Sequence, residues 1–217
     1  MSGTAAFREP ENSSHYEEKV KRSVFIADVF PCHDDEQARQ ILSATVSKYR
    51  DATHNCRAYV FVDGTEYSSD DGEPSGTAGR PILNAIKHSG LVNVIVIVTR
   101  YFGGVKLGVR GLIDAYGEAA SKALELCGSV ERVMTSPLGI ALGYNSVGNV
   151  TRLLESAGAV NLVWDYGENV SVSCDVPVSE SERIFCELEE MKARGLIFNC
   201  KQKIKEISLP KNKPESP

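Results

Sequence analysis

The pattern of apolar and polar positions divides the chain into two blocks of strands and helices. In the first block, residues 22–30 alternate and carry β-branched and aromatic side chains, which is typical of a strand. A helical spacing of apolar side chains follows Asp34 and Asp35, and acids suit the start of a helix. Residues 58–62 predict another strand, and the Val/Ile-rich stretch 91–99 predicts a strand buried on both faces.

Two further helices of this block each begin directly after a glycine-rich loop. The first begins near Pro81, a residue favoured at the first helical position. It follows residues 63–79, which show no apolar periodicity and are long for a connection in a compact domain. The second follows Gly111. The pattern predicts a domain at residues 18–130 after a flexible N-terminus at residues 1–17.

The second block reads as strand, helix, strand, strand, helix, strand. Ser179 and Glu182 have the spacing of a capping box at the start of its last helix. The order of elements is the split-βαβ, ferredoxin-like arrangement, so the predicted fold class is α+β. The block predicts a domain at residues 136–208 and a flexible tail at residues 209–217. Its strands are predicted at residues 137–144, 159–166, 169–176 and 196–207, and its helices at residues 147–156 and 179–194.

Composition and charge exclude several classes of protein. No apolar run approaches the roughly 18 residues that span a bilayer, and the N-terminal segment lacks a signal-peptide core, so we expect a cytoplasmic protein without a membrane partner. The net charge of −5 restricts any contact with nucleic acid to a local surface. Six scattered cysteines without a Cys-x-x-Cys pair predict buried, reduced thiols.

The candidate chemistry lies at the two glycine-rich helix starts. Each start leaves about four backbone N–H groups without an intrahelical partner, and such ends bind phosphate or carboxylate. If both loops share one edge of the sheet, they form an anion cradle; alternatively, the glycines only form tight turns. The two aromatic residues can stack on bases or pack in the core. The candidate anion- or RNA-binding residues are Gly76, Thr77, Gly79, Arg80, Arg100, Tyr101, Phe102, Gly103, Gly104, Lys106, Gly108, Arg110 and Gly111.

A possible second site combines His54 with the acidic loop residues Asp70, Asp71 and Glu73. Three carboxylates in four residues can hold Mg²⁺ beside a phosphate, but the spacing fits no EF-hand, so we favour a solvated loop and no metal. His54 and Cys56 share a face of a strand, yet no third group orients them, which favours a structural His and a core Cys. No catalytic residue and no cofactor are predicted.

Three in-order motif blocks resemble the IMPACT/YigZ family. They are residues 51–56 (DATHNC), residues 68–82 (SSDDGEPSGTAGRPI) and residues 98–108 (VTRYFGGVKLG). The resemblance is strong over residues 18–130. Over residues 136–208 it rests on element order alone, and this part is similar to the last domain of translocating elongation factors.

The resemblance implies an N-terminal domain like the second domain of ribosomal protein S5, with a left-handed βαβ crossover, against the usual right-handed rule. It also implies a link to translation, because eukaryotic relatives regulate the amino-acid-starvation kinase pathway by binding a ribosome-associated activator. One departure is Arg110, where the family usually has glycine. This arginine either adds a cation to the cradle, which we favour, or blocks the approach of a ligand.

The leading hypothesis is a non-catalytic, translation-linked regulator or binding module. It engages RNA or a ribosome-associated protein through the glycine-rich face. The alternative is a metal-assisted enzyme acting on a small phosphorylated or carboxylated substrate, with the acidic loop holding the metal and His54 moving a proton. A structural subunit of a complex is a third possibility, and the sequence gives no oligomeric state.

Overall fold

The computed structural model describes residues 6–202 and 207–210. Residue contacts divide the chain into two compact units, residues 7–131 and residues 132–217 with the first six residues. Among the described residues, no helix is both long enough and apolar enough to cross a membrane. The strands are β1 (Ala6–Glu9), β2 (Ser14–Val20), β3 (Ser23–Pro31), β4 (His54–Val60), β5 (Glu66–Ser69), β6 (Val94–Tyr101), β7 (Val130–Leu142), β8 (Val160–Tyr166), β9 (Val170–Pro177), β10 (Ile197–Gln202) and β11 (Ile207–Pro210). The helices are α1 (Asp35–Lys48), α2 (Gly79–Ser89), α3 (Gly108–Leu126), α4 (Val147–Ser156) and α5 (Val178–Ala193), with a short 3-10 helix at Tyr144–Ser146.

The first unit is built on a five-stranded antiparallel sheet with the order β2-β3-β6-β4-β5. Strands β3 and β4 both run antiparallel to β6, which lies between them, so β3, α1 and β4 form a βαβ unit around an intervening strand. Val94, Val96 and Val98 pack into the core that α2 and α3 cover, whereas Ile95 and Ile97 pack into the core that includes Ala38 of α1. The sequence prediction that β6 is buried on both faces is therefore confirmed.

The helices of the first unit begin close to the predicted positions. The Asp34 side chain accepts a hydrogen bond from the backbone N–H of Gln37 and caps α1. Helix α2 begins at Gly79, two residues before Pro81, and α3 begins at Gly108 rather than after Gly111. Both glycine-rich loops therefore lead directly into helix N-termini, as the sequence indicates.

Two predictions for the first unit are wrong. Strand β2 pairs along its whole length with β3, so residues 14–17 are not a flexible terminus; Tyr16 packs against the core. Residues 63–79 are not a loop throughout, because they contain β5, which pairs with β4 at the edge of the sheet. An exposed edge strand buries no side chains in the core and so leaves no apolar periodicity in the sequence.

The second unit has the sheet order β10-β7-β9-β8, in which each neighbouring pair is antiparallel. Helices α4 and α5 bury Val150, Leu154, Ile184 and Leu188 against one face of this sheet. The whole chain is thus a mixed α+β protein with antiparallel sheets. Helix α4 and the β8–β9 hairpin lie where the sequence predicts them.

Three details of the second unit differ from the sequence prediction. Helix α5 begins at Val178 after Pro177, without a side-chain cap, so the Ser179–Glu182 capping box is wrong. The last predicted strand covers β10, but residues 203–206 lie outside the described residues. The predicted tail begins inside β11, which pairs with residues 132–135 of β7, and residues 211–217 lie outside the described residues.

Candidate functional site

The loop from Asp70 to Gly79 is held by its own carboxylate at the start of α2. One oxygen of Asp70 accepts hydrogen bonds from the N–H groups of Ala78 and Gly79 at 3.0 and 2.8 Å, and the other accepts from Gly76 at 2.8 Å. Burial raises the pKa of Asp70, but these donors outweigh it and hold the pKa below its usual range. The amides that the sequence analysis assigned to an external anion are therefore occupied by an internal one.

The Arg100 side chain is also buried, and its partners lie inside the protein. Only 5% of this residue is exposed, and its Nη1 donates to Glu73 Oε1 at 2.5 Å. The Tyr116 hydroxyl donates to the same oxygen at 2.9 Å, and Arg100 Nη2 donates to Ser23 Oγ at 3.3 Å. The prediction that Arg100 contacts a phosphate is wrong, because a cation on a central strand is buried and needs a buried partner.

The residues of the second predicted site do lie together, but their contacts hold the acidic loop in place. His54 Nδ1–H donates to the Asp71 carbonyl at 2.8 Å, and His54 Nε2 lies 3.8 Å from Glu73 Oε1. The Asn55 N–H donates to Asp71 Oδ2 at 2.7 Å. His54, Asp71 and Glu73 therefore tie the acidic loop to the start of β4.

Neither a nucleophile nor a metal centre emerges from this cluster. The buried Cys56 thiol donates to the Asp70 carbonyl at 2.9 Å, and burial raises its pKa to about 12. A thiol with this pKa carries almost no thiolate at neutral pH. Within residues 6–202 and 207–210, no three side chains of the metal-ligating types form a group that could hold an ion.

The start of α3 differs from the start of α2 because nothing in the described chain caps it. Residue Leu107 occupies the N-cap position and makes no side-chain capping bond, and Gly108 has the positive φ of 77° that favours glycine. Lys106 and Arg110 are exposed, and neither has an ion-pair partner within the described part of the chain. Apolar side chains at four-residue spacing lie beside these cations. We call this surface the α3 start; it consists of Val105, Lys106, Val109, Arg110 and Ile113, and its apolar members are 36%, 61% and 39% exposed.

The loop between β6 and α3 is shaped by a close backbone contact. A Cβ on Gly103 would lie 2.0 Å from the Arg22 carbonyl oxygen, so this position requires glycine. Tyr101 donates its hydroxyl to Asp51 at 3.2 Å and is partly buried. Phe102 is 46% exposed, with its ring 5.3 Å from the Arg100 guanidinium, so it remains available for stacking.

The starts of α2 and α3 are offset along the helix pair. Pro81, in the first turn of α2, lies against Gly117 in the middle of α3. Seven residues further along each helix, His88 and Leu124 line the same cavity of about 420 Å³, so the two helices run in the same direction. Gly108 lies about two and a half turns, or roughly 13 Å of helix rise, before Gly117. Because Asp70 occupies the amides at the start of α2 and Glu73 pairs with Arg100, the predicted joint cradle does not form, and the α3 start is the remaining candidate surface.

The remaining candidate residues separate by exposure. Thr77 is buried and donates its hydroxyl to the Pro74 carbonyl at 2.6 Å, whereas Arg80 is exposed. Gly104 has a φ of 79°, and a Cβ on Gly111 would lie 3.1 Å from the Leu107 Cβ. These glycines shape the backbone of the loop and of the first turn of α3.

Sequence reasoning missed Tyr116, which connects α3 to Glu73. Burial raises the pKa of Tyr116 far above its ordinary value, so the hydroxyl stays protonated and donates. A signal was present, because a tyrosine on a helix face otherwise lined by alanines and leucines is buried and its hydroxyl then needs a partner.

Comparisons with known proteins agree with this architecture. Residues 21–124 match the family model described as the Impact N-terminal domain. The IMPACT family member YvyE of Bacillus subtilis is 34% identical over 79% of this chain and 80% of its own length. An IMPACT family member of Haemophilus influenzae is 30% identical over 89% of this chain and 96% of its own length. A crystal structure described as that of a hypothetical protein superposes with a TM-score of 0.65 at 26% identity, covering 92% of this chain and 97% of that one.

Proposed function

The chain belongs to the IMPACT family, and from this we propose that it is a translation-linked regulatory module that binds RNA or a ribosome-associated protein through the α3 start. The link to translation follows from the family resemblance. The observation that carries the choice of surface is the uncapped N-terminus of α3 between two exposed cations, Lys106 and Arg110. A helix N-terminus with flanking cations attracts phosphate or carboxylate groups. We place this activity in the cytoplasm, where translation occurs.

The internal bonds of the acidic loop support binding rather than catalysis. Asp70, Asp71 and Glu73 each accept hydrogen bonds from groups of the protein, so a metal ion would have to displace existing donors. Arg100 neutralises Glu73, and Cys56 is protonated at neutral pH. The metal-assisted enzyme would need the carboxylates of the acidic loop to hold a metal and His54 to move a proton, and these groups are engaged in internal contacts.

The topologies of the two units support a more specific fold assignment for each unit, and these assignments are part of the proposal. The β3-α1-β4 unit with an intervening strand is compatible with the second domain of ribosomal protein S5, and we propose a left-handed crossover there. The order β10-β7-β9-β8 with two helices against one face is compatible with a ferredoxin-like domain at residues 136–208, similar to the last domain of translocating elongation factors.

The test is co-sedimentation of the purified chain with ribosomes, together with filter binding to deproteinised ribosomal RNA. We expect the double variant Lys106→Ala, Arg110→Ala to lose most of the association. Lys122→Ala is the matched control, since it removes an exposed lysine from the same helix that pairs with Glu125. If the two cations contact phosphates, log affinity should fall with log salt with a slope of about −1.4 to −1.8.

The salt series also separates the two classes of partner. Binding that needs intact ribosomes and depends less on salt indicates a ribosome-associated protein that pairs with the two cations and also packs on Val109 and Ile113. Equal binding by the wild type and the double variant would contradict the proposal. Turnover of phosphate esters in the presence of Mg²⁺ would also contradict the proposal, if the Asp71→Ala variant lost this activity.

A further inference from the structure

The second unit carries a row of aromatic side chains at one end of its sheet. Trp164 and Tyr166 lie on the edge strand β8 with ring centroids 6.1 Å apart and nearly parallel. The Tyr144 ring follows at 6.4 Å from Tyr166. Tyr144 and Tyr166 are 56% and 59% exposed, so both rings are accessible to a ligand, while Trp164 packs partly against the core.

The row is fixed in place by the protein. The Tyr144 hydroxyl donates to the Gly167 carbonyl at 2.8 Å, which ties the 3-10 helix to the β8–β9 turn. Trp164 is anchored by its apolar contacts beneath. Rings held in this way offer contact area to a ligand at little entropic cost.

An exposed carboxylate borders the row. Glu168 lies in the turn next to Gly167, the residue to which Tyr144 is bonded. Residues 153–176, which contain β8, the turn and most of β9, include no lysine, arginine or histidine. Asp165, like Val163, alternates to the face of β8 opposite Trp164 and Tyr166, where it lines a cavity together with Lys201. Glu168 therefore gives this end of the sheet a local negative charge that attracts a cation and repels nucleic acid.

We propose that the row Tyr144, Tyr166 and Trp164 binds a basic, arginine-bearing peptide segment of a partner protein. A guanidinium stacks flat on tyrosine and tryptophan faces and is attracted by their quadrupoles. The carboxylate of Glu168, next to the turn residue that holds Tyr144, adds charge complementarity. This site lies in the second unit and does not depend on the α3 start.

The test uses a fluorescein-labelled octapeptide of alternating arginine and glycine, followed by fluorescence anisotropy. We expect the wild type to bind it more tightly than the lysine–glycine peptide and not to bind the glutamate–glycine peptide. Tyr166→Ala and Tyr144→Ala should each weaken the Kd by about three- to tenfold. Val163→Ala is the matched control, because Val163 is 64% exposed on β8 and points to the opposite face.

The charge contribution has its own pair of variants. Glu168→Gln should weaken binding by about two- to threefold at low salt, with the difference vanishing near 1 M salt, whereas Glu182→Gln on α5 should have no effect. An unchanged Kd in both tyrosine variants, with circular dichroism indicating a folded protein, would overturn the site. Preferential binding of an oligonucleotide at this row would do the same.

The result of the peptide-binding test does not depend on the proposed function. The double variant Lys106→Ala, Arg110→Ala should bind the arginine peptide like the wild type. If ribosome association fails while peptide binding survives, only the first proposal is lost.

Discussion

The side chains of Asp70 and Arg100 explain the conformation of the loop before α2. Asp70 stands in for the anion that a helix N-terminus attracts, and Arg100 balances the buried Glu73. Removing one member of a buried ion pair typically costs about 3–5 kcal/mol, because the other charge is left without compensation. These residues therefore hold the loop in one conformation. Their partly or fully buried charges are explained by these internal contacts and need no bound ligand.

Asp70 should make the stability of the first unit sensitive to acid. We expect Asp70→Asn to lower the free energy of unfolding by about 1–3 kcal/mol at pH 7, because the amide nitrogen cannot accept the lost hydrogen bond. The folded pKa lies below the unfolded value of about 3.9, so the stabilisation is complete above that value and is lost as pH falls through the folded pKa.

Urea unfolding between pH 7 and pH 3 measures this effect. The difference between the wild type and Asp70→Asn should shrink below about pH 4. Asp114→Asn, an exposed aspartate on α3, serves as the control and should leave stability unchanged. A constant difference down to pH 3 would contradict the assigned role of the carboxylate.

The cysteines should differ sharply in reactivity. Cys186 is exposed on α5, whereas Cys56 is buried with a pKa of about 12. Since the thiolate is the reactive form, N-ethylmaleimide at pH 7 should modify Cys186 within minutes and leave Cys56 intact in the native protein. Mass spectrometry of peptides measures both sites, and unfolding in urea should expose Cys56. Rapid labelling of Cys56 in the native protein would instead support a nucleophilic thiolate at this position.

The junctions between secondary-structure elements impose the strictest demands on glycine. Gly103 connects β6 to α3 and lies against the backbone of Arg22, whereas Gly117 inside α3 has ordinary contact with Pro81. The sequence places Gly103 in a loop and Gly117 in a helix. Only the packing of the β2–β3 turn against the loop shows that Gly103 has no room for a Cβ.

A pair of alanine substitutions tests this difference. Gly103→Ala should lower the free energy of unfolding by about 3 kcal/mol, because Arg22 has to move. Gly117→Ala should raise it by up to about 1 kcal/mol, since alanine is the better helix former and its methyl group fits. Thermal unfolding of both variants gives the comparison, and equal effects would mean that Gly103 is not in close contact.

Across the molecule, the net charge of −5 is compatible with local sites of opposite sign. The α3 start in the first unit presents two cations, and the exposed carboxylate of Glu168 borders the aromatic row of the second unit. Each unit also has a hydrophobic core of its own. The family comparison covers both units, since YvyE aligns over 79% of this chain.

The sequence alone predicted the α+β class, the order of most elements and the burial of β6 on both faces. Apolar periodicity, helix-start residues and glycines act within a few neighbouring residues, so these features are local and can be recognised. It also predicted that His54 and the acidic loop belong together, though not their structural role. The sequence did not predict the edge strand β5, because this strand buries too little side-chain surface to leave an apolar pattern.

The tertiary structure alone decided which charges are available. Arg100 and Lys106 are both cations near the same glycine-rich loop, yet the first is buried against Glu73 and the second lies in solvent. Likewise, Asp70 fills one helix start while the other stays uncapped, and Tyr144 meets Tyr166 only through folding. Burial and pairing depend on which distant segments meet in the fold, and no local pattern carries that information.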